Sequence, residues 1–239
     1  MSNIMKISWQ KMIVMMTGMG VVLVLGVGCA PPDSIVGDES KKGDKEKIEP
    51  VEPDDPKNPD QSKVPENAGF AVLGGGCFWC VEEVLHQLDG VTAVVSGYAG
   101  GTAETANYEA VCSGSTNHAE VVKVTFDQDK VSYSQVLDMF WKLHDPTTVN
   151  SQGNDIGRQY RSVIFYQNDE QKKAAEASKK KLGEAGVYPS AIVTQIVPQQ
   201  EFHLAEEYHQ NYARLYPNDP YIRQILFPKL KKLHLKLPE

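Results

Sequence analysis

Only the part of the chain after about residue 68 has the apolar periodicity of secondary structure. The apolar run 70–73 is bounded by glycines, which predicts a short strand. After it, the apolar positions of 79–88 recur at helical spacing until Gly90, which predicts a helix. Cys77 therefore lies at or just before the first turn of that helix.

Further elements follow in the same part of the chain. Strands are predicted at 92–97, 118–126, 162–166 and 191–197, and helices from a Ser132 cap to His144, at 170–182 and at 203–215. A long polar loop is expected between the second and third strands. Up to residue 166 the order is strand, helix, strand, strand, helix, strand, as in an α+β fold of the ferredoxin-like, split βαβ type (βαββαβ). A helix, a strand and a helix are added at the C-terminal side, and we predict one globular domain at 68–239.

Residues 1–28 have the pattern of an export signal. Lys6 and Lys11 supply positive charge, residues 12–27 carry none, and small residues precede Cys29. This pattern resembles a bacterial lipoprotein signal, although Gly26 replaces the usual leucine. The resemblance implies that Cys29 is lipidated and that the protein is anchored to a membrane of the cell envelope, facing outside the cytoplasm. An uncleaved membrane anchor and secretion after cleavage elsewhere are the alternatives.

Residues 29–67 are rich in proline and charged side chains and lack aliphatic periodicity. Such a segment buries too little apolar surface to offset its chain entropy, so we expect a disordered, extended tether. A partner-binding segment is the alternative. The formal net charge of the chain is −7, and no basic stretch interleaved with aromatic residues indicates a nucleic-acid partner.

The chain has four cysteines. If Cys29 carries lipid, Cys77, Cys80 and Cys112 remain, and an odd number does not favour a static disulfide framework. Cys77 and Cys80 have the C-x-x-C spacing that brings two thiols together on the first turn of a helix, which favours redox chemistry over buried structural thiols. The amides and dipole of the helix N-terminus are expected to lower the pKa of Cys77. The sequence has no second ligand pair at zinc spacing, so no metal site is predicted.

Four segments together resemble the A-type peptide methionine sulfoxide reductases, and the resemblance covers residues 69 to 222. The segments are Gly76-Cys77-Phe78-Trp79, Tyr108 to Gly114, His118-Ala119-Glu120 and Gln152 to Ser162, with lesser matches at Ser96-Gly97-Tyr98 and Tyr208-His209-Gln210. Each is a weak pattern alone, and the four in the right order make a strong one. The resemblance implies reduction of the S epimer of methionine sulfoxide in oxidised proteins, and it includes no domain for the R epimer.

A sulfoxide has an electrophilic sulfur, a methyl group and a basic oxygen, so its reductase needs a thiolate, an apolar pocket and a proton donor. The resemblance implies that Cys77 is the nucleophile, which becomes a sulfenic acid. It also implies that Phe78 and Trp79 wall the methyl pocket. Glu120 is implied as the acid, since burial in an apolar pocket raises the pKa of a carboxyl group and keeps it protonated.

The resemblance also assigns three further site residues. Tyr108 and Tyr160 match the family's tyrosines that hydrogen-bond the sulfoxide oxygen. Asp155 matches a site-shaping or water-binding position, with a loop-capping aspartate as the alternative. The pair Glu206 and His209 has the Glu-x-x-His spacing of half a di-iron site, but without a second such pair we interpret His209 as structural.

Recycling of the sulfenic acid requires a second thiol. We expect Cys80 to resolve Cys77 by forming a disulfide, with Cys112 as the rival, and a thioredoxin-type dithiol outside the cytoplasm to reduce that disulfide. No bound cofactor is implied, and a monomer is expected. Two other functions stay open from the residues alone: a thioredoxin-like disulfide oxidoreductase, and a tethered lipoprotein that binds partners without catalysis.

Overall fold

The computed structural model describes residues 64–239. The predicted export signal, Cys29 and all but the last residues of the predicted tether therefore lie outside the described residues. Within 64–239, no helix has the length and apolar character needed to cross a membrane.

The described residues form eight strands and six α-helices, with short 3-10 turns between them. The strands are β1 (Ala68–Gly74), β2 (Val91–Ala99), β3 (Ala119–Asp127), β4 (Ser151–Gln152), β5 (Asp155–Ile156), β6 (Val163–Tyr166), β7 (Gln195–Pro198) and β8 (Phe202–Leu204). The helices are α1 (Phe78–His86), α2 (Tyr108–Cys112), α3 (Tyr133–Leu143), α4 (Asp169–Glu184), α5 (Tyr212–Leu215) and α6 (Phe227–Lys232). A π-helical turn (Ile222–Leu226) leads into α6.

Six of the strands form one mixed sheet in the order β7-β6-β1-β3-β2-β8, and β4 and β5 form a separate hairpin. The neighbours within β6-β1-β3-β2 are antiparallel, as are β2 and β8, whereas β6 and β7 are parallel. β3 therefore lies between β1 and β2, and these two strands run in the same direction. This arrangement places the C-terminal end of β1 beside the first residues of β3, where the site is built.

Successive side chains of a strand point to opposite faces of the sheet, and apolar side chains lie on both faces. Leu73 and Val122 are paired across β1 and β3, and both belong to the larger core beneath α1 and α3. Their chain neighbours Val72 and Val121 point to the opposite face and belong to a smaller cluster. This separation follows from the two-residue period of a strand.

The predicted elements up to residue 184 agree with the structure within a few residues. Ser132 caps α3 through a capping box with Gln135, as its position before the apolar stripe indicated. The expected loop after β2 contains one further helix, α2, whose cap is Asn107. The predicted strand at 191–197 is shorter, since β7 begins at Gln195.

The predicted helix at 203–215 is wrong. Phe202–Leu204 instead forms an edge strand against β2, Glu207–His209 is a 3-10 turn, and only Tyr212–Leu215 is helical. Asn211 has a positive φ of 54°, which breaks the helical path. The amide of Gln210 bonds both backbone groups of Ser96 on β2, so tertiary contacts replace the helical hydrogen bonds of this segment.

Substitution by alanine should have opposite effects on protein stability at two glycines, because their surroundings differ. Gly97→Ala should destabilise the protein by about 1–3 kcal/mol, because its Cβ would overlap the Phe202 ring and lie 2.5 Å from the His203 carbonyl oxygen. Gly183→Ala in α4 should stabilise it by up to about 1 kcal/mol, since its Cβ meets nothing within 4 Å. Urea unfolding of both variants checks this, and equal free energies of unfolding would contradict the assigned packing of β8 on β2.

Candidate active site

The turn between β1 and α1 presents Cys77 at the start of a helix. Gly76 has a φ of +96°, and a Cβ there would lie 2.6 Å from Cγ of Gln152, so both conformation and space require glycine. Cys77 occupies the N-cap position of α1, and its own side chain makes no capping hydrogen bond. The predicted position of this cysteine at a helix N-terminus is confirmed.

Cys77 and Cys80 are both free, buried thiols in direct contact. The thiol of Cys77 donates a hydrogen bond to the sulfur of Cys80. Burial raises the pKa of the Cys77 thiol well above its usual value, with further contributions from this hydrogen bond and from Glu120. The predicted lowering of the Cys77 pKa is therefore wrong for this state. The hydrogen bond from Cys77 lowers the pKa of Cys80, so Cys80 is the more acidic thiol of the pair.

The sequence predicted that the amides at the start of α1 would favour the Cys77 thiolate, but the first of these amides binds the carboxyl group of Glu120 instead. Its Oε2 accepts a hydrogen bond of 3.1 Å from the backbone N–H of Phe78, the first residue of α1. Only 2% of Glu120 is exposed, and burial raises the pKa of its carboxyl group to about 8, although the bond from Phe78 opposes that shift. The carboxyl is therefore predominantly protonated at neutral pH, as the family resemblance implied.

The side chains of both predicted tyrosines interact electrostatically with Glu120 and Cys77. Tyr108 begins α2 and is half-buried, and Tyr160 ends a 3-10 turn and is buried. Burial raises the pKa of each phenol, and negative charge on Glu120 and on Cys77 raises it further. Each hydroxyl is therefore a neutral hydrogen-bond donor in the same cluster as Cys77 and Glu120.

The two aromatic residues after Cys77 have different environments. Phe78 is only 1% exposed and packs on Tyr98 and His209, with ring centroids 5.8 and 5.1 Å away. Trp79 is half-buried, lies nearly parallel to Tyr212 at 3.9 Å, and donates from Nε1 to Nδ1 of His209 at 3.2 Å. His209 therefore orients the indole, which agrees with its interpretation as a structural histidine.

Asp155 belongs to the β4–β5 hairpin and contacts a residue that the sequence motifs did not include. The hydroxyl of Tyr221 donates a hydrogen bond of 2.5 Å to Oδ2 of Asp155. Burial raises the pKa of Asp155, against the lowering effects of Tyr221 and of the Lys229 charge. Tyr221 is 66 residues away in sequence and lies in no local pattern, so only the fold brings it to the site.

A second contact network supports Tyr108. Glu206 accepts hydrogen bonds of 2.8 Å from the hydroxyl of Tyr98 and from the backbone N–H of Tyr108. Sequence reasoning assigned Glu206 no role beyond its spacing to His209. The structure shows that its carboxylate fixes the first residue of α2 against β2.

Two predicted cysteines remain, Cys112 and Cys29. Cys112 is the last residue of α2 and is half-buried, four positions along the helix from Tyr108. Cys29 lies outside the described residues. Among residues 64–239, no three histidine, cysteine or acidic side chains are grouped so that they could hold a metal ion.

The cluster combines a buried thiol, a protonated carboxyl group and two phenol donors around one helix N-terminus. Such a site can bring a nucleophilic sulfur and a proton to the two ends of a polar S–O bond. The second thiol three residues away can then form a disulfide with the first. The arrangement is suited to a two-electron reduction at sulfur.

Comparison with known proteins agrees with this chemistry. A family model described as peptide methionine sulfoxide reductase matches residues 70–238. Peptide methionine sulfoxide reductase MsrA of Acinetobacter baumannii (strain AYE) is 54% identical over 166 residues, which cover 70% of this chain and 94% of the relative. The enzyme of the same name from Leptospira borgpetersenii serovar Hardjo-bovis is 51% identical over 162 residues, covering 68% and 91%.

Solved structures show the same fold. Reduced Mxr1 from Saccharomyces cerevisiae superposes with a TM-score of 0.61 at 34% identity, covering 64% of this chain and 88% of that one. Methionine sulfoxide reductase A of Corynebacterium diphtheriae gives a TM-score of 0.57 at 32% identity, covering 64% and 77%. With the family model spanning most of the chain and the whole cluster around Cys77, this chain belongs to the A-type peptide methionine sulfoxide reductases, oxidoreductases that reduce the S epimer of methionine sulfoxide.

Proposed function

We propose that Cys77 is the nucleophile, Glu120 the proton donor and Cys80 the resolving thiol of this reductase. The observation that carries the proposal is the position of Glu120, whose carboxyl group accepts the N–H of Phe78 next to Cys77. This hydrogen bond fixes the acid beside the nucleophile, and burial keeps it protonated, with a pKa of about 8. A sulfoxide oxygen that approaches Glu120 therefore has its sulfur next to Cys77.

In the first step the oxygen passes from methionine sulfoxide to Cys77. The sulfoxide S–O bond breaks and an S–O bond forms at Cys77, so the methionine sulfur gains the two electrons that the cysteine sulfur loses. Glu120 gives its proton to the oxygen and takes up the thiol proton of Cys77, so that no net proton is consumed. This exchange suits a Cys77 whose pKa is raised, because the thiol is deprotonated only as it attacks.

The surrounding side chains position the substrate. Tyr108 and Tyr160 hydrogen-bond the sulfoxide oxygen as negative charge develops on it. Trp79, half-buried beside the fully buried Phe78, offers the accessible aromatic surface against the methyl group. Asp155, held by Tyr221, shapes the side of the site that faces the two cysteines.

In the second step Cys80 attacks the sulfenic acid of Cys77. A disulfide forms, the S–O bond of Cys77 breaks, and the departing hydroxide takes the Cys80 proton to leave as water. The contact between the two thiols and the more acidic character of Cys80 support its role over that of Cys112. A thioredoxin-type dithiol then reduces the disulfide by exchange, and no bound cofactor is needed because thiols supply both electrons.

For the fold, we propose that β1, α1, β2, β3, α3 and β6 form a ferredoxin-like split βαβ core. The strand order β6-β1-β3-β2 with antiparallel neighbours supports this interpretation. For the whole chain, we propose a signal at 1–28, a tether at 29–67 and a catalytic domain at 68–239. Lipid on Cys29 would anchor the enzyme to the cell envelope, where it repairs oxidised proteins with an extracytoplasmic reductant.

Two cysteine variants test the assigned roles. Cys77→Ser should abolish reduction of the S epimer of a peptide methionine sulfoxide, whereas the R epimer should be untouched by any form of the enzyme. Cys80→Ser should still release about one methionine per chain, since the first step needs only Cys77, but it should not be recycled by thioredoxin. Chromatography of the released product measures both. Recycling of Cys80→Ser at the wild-type rate would point instead to Cys112 as the resolving thiol or to direct reduction of the sulfenic acid.

The pH dependence tests Glu120. The rate of the first step should fall as pH rises through about 8, because the proton that Glu120 donates is lost above that pKa. Glu120→Gln should lower the single-turnover rate roughly 100-fold or more and remove this alkaline limb. Single turnovers at pH 6 to 10 measure it, and a variant that keeps the limb would show that another group donates the proton.

Labelling with a palmitate analogue in a bacterial host tests the anchor. The wild-type chain should take up the label and sediment with membranes, and Cys29→Ser should do neither, because the acylated thioether cannot form. Cys112→Ser is the matched control and should keep the label. An unlabelled wild-type chain would contradict lipidation and favour an uncleaved membrane anchor or secretion after cleavage elsewhere.

A further inference from the structure

The imidazole of His209 contacts several of the aromatic side chains around Cys77. Only 1% of His209 is exposed, and its ring centroid lies 5.1 Å from that of Phe78, 5.7 Å from that of Trp79 and 4.5 Å from that of Tyr108. The proposed function places the methyl group of the substrate against Trp79 and the sulfoxide oxygen at Tyr108. One buried ring therefore touches the side chains assigned to both ends of the reacting group.

The hydrogen bond from Trp79 fixes the tautomer of this imidazole. An indole N–H can only donate, so Nδ1 of His209, which is 3.2 Å from Nε1 of Trp79, is the acceptor and carries no proton. The proton of the neutral ring is therefore on Nε2. Burial also lowers the pKa of His209 to about 4, which agrees with a neutral ring. A neutral ring in a single tautomer holds the indole in one orientation.

The 3-10 turn that carries His209 is itself attached to the site by Glu206. The backbone N–H of His209 donates to the carbonyl oxygen of Glu206 at 2.9 Å. The Glu206 carboxylate accepts hydrogen bonds of 2.8 Å from the hydroxyl of Tyr98 and from the backbone N–H of Tyr108. Nε2 of His209 is 3.8 Å from this carboxylate, too far for a hydrogen bond. Glu206 therefore fixes the turn to Tyr108, and His209 fixes the indole to the turn.

The position of the indole limits the size of the alkyl group that fits at the substrate sulfur. Phe78 is 1% exposed and packed on His209, so this side of the pocket has no room to move. A longer alkyl group would require the indole to tilt away, and the hydrogen bond to Nδ1 opposes that tilt. One methylene more or less in an apolar pocket changes kcat/KM by about 10- to 200-fold.

We propose that His209 is a positioning residue that makes the site selective for methyl sulfoxides by holding the Trp79 indole at a fixed place relative to Tyr108. This inference rests on the proposed function, in which Trp79 contacts the methyl group. His209 touches neither the sulfur nor the oxygen, and no proton or electron passes through it. Its effect is on which substrates fit.

The test gives the full-length chain two substrates that differ by one methylene. One is the S epimer of a peptide methionine sulfoxide, and the other is the same peptide with ethionine sulfoxide. Chromatography of the reduced peptides, with dithiothreitol as the reductant, gives kcat/KM for each substrate. The ratio of the two values is not changed by a variant that merely loses folded enzyme, because both substrates then meet the same remaining sites.

His209→Phe keeps a ring but removes the acceptor of the indole N–H. The ratio of kcat/KM for the methyl over the ethyl sulfoxide should fall about tenfold, the lower end of the effect of one methylene. In a Trp79→Phe background, which has no indole N–H, the same change at His209 should alter the ratio less than twofold, since the coupling between the two residues is already lost.

His203→Phe is the matched control. It removes a half-buried histidine from β8, and the ring of this histidine packs on His118, with centroids 5.6 Å apart. This variant should keep the wild-type ratio. If His209→Phe does not fold, His209→Asn decides, because its smaller side chain leaves space beside the indole and should lower the ratio in the same way.

Other outcomes overturn the inference. An unchanged ratio in His209→Phe, or in His209→Asn where that variant decides, would refute it, as would a wild-type chain that reduces the methyl and ethyl sulfoxides equally well. A tenfold fall that persists in the Trp79→Phe background would refute a role that acts through Trp79. A wild-type chain that releases no reduced peptide from either substrate would refute the proposed function instead.

Discussion

The carboxyl group of Glu120 accepts the first backbone N–H of α1, and the rest of the site depends on this contact. It joins the start of β3 to the turn after β1, which sequence separates by 42 residues. The carboxyl takes this N–H, and the Cys77 side chain beside it makes no capping hydrogen bond to the helix. Desolvation then decides both pKa values, and it holds both groups in their protonated forms.

The pKa values of the two cysteines shift in opposite directions, which fits the order of the proposed steps. The raised pKa keeps Cys77 protonated, and a thiol reacts less readily with oxidants than a thiolate does. Cys80 is the stronger acid before turnover begins, because Cys77 donates to it. In the proposed mechanism the thiol that attacks second is therefore deprotonated more readily than the thiol that attacks first.

Residues after 200 complete the site, although they are far from Cys77 in sequence. His209 and Tyr212 fix the indole of Trp79 from one side, and Tyr221 meets it edge-on from another. Glu206 links Tyr98 and Tyr108 on the far side. The aromatic enclosure thus consists of side chains more than a hundred residues apart, and it forms only once the C-terminal segments pack on α1.

The sequence by itself determined the local features. Apolar periodicity predicted the strands and helices up to α4, glycines and spacing predicted Cys77 at a helix N-terminus, and the family resemblance of the segment around Glu120 implied a protonated carboxyl group. Each of these depends on near neighbours in the chain, which a linear pattern contains.

The tertiary structure alone decided the remainder. Burial by distant segments raises the pKa of Cys77, Phe202–Leu204 pairs with β2 instead of forming a helix, and Tyr221 comes from the C-terminal segment to contact Asp155 and Trp79. Burial, electrostatic fields and edge pairing depend on which distant segments meet. The spacing of residues along the chain does not show which distant segments pack together, because the free energy of the whole fold decides that packing.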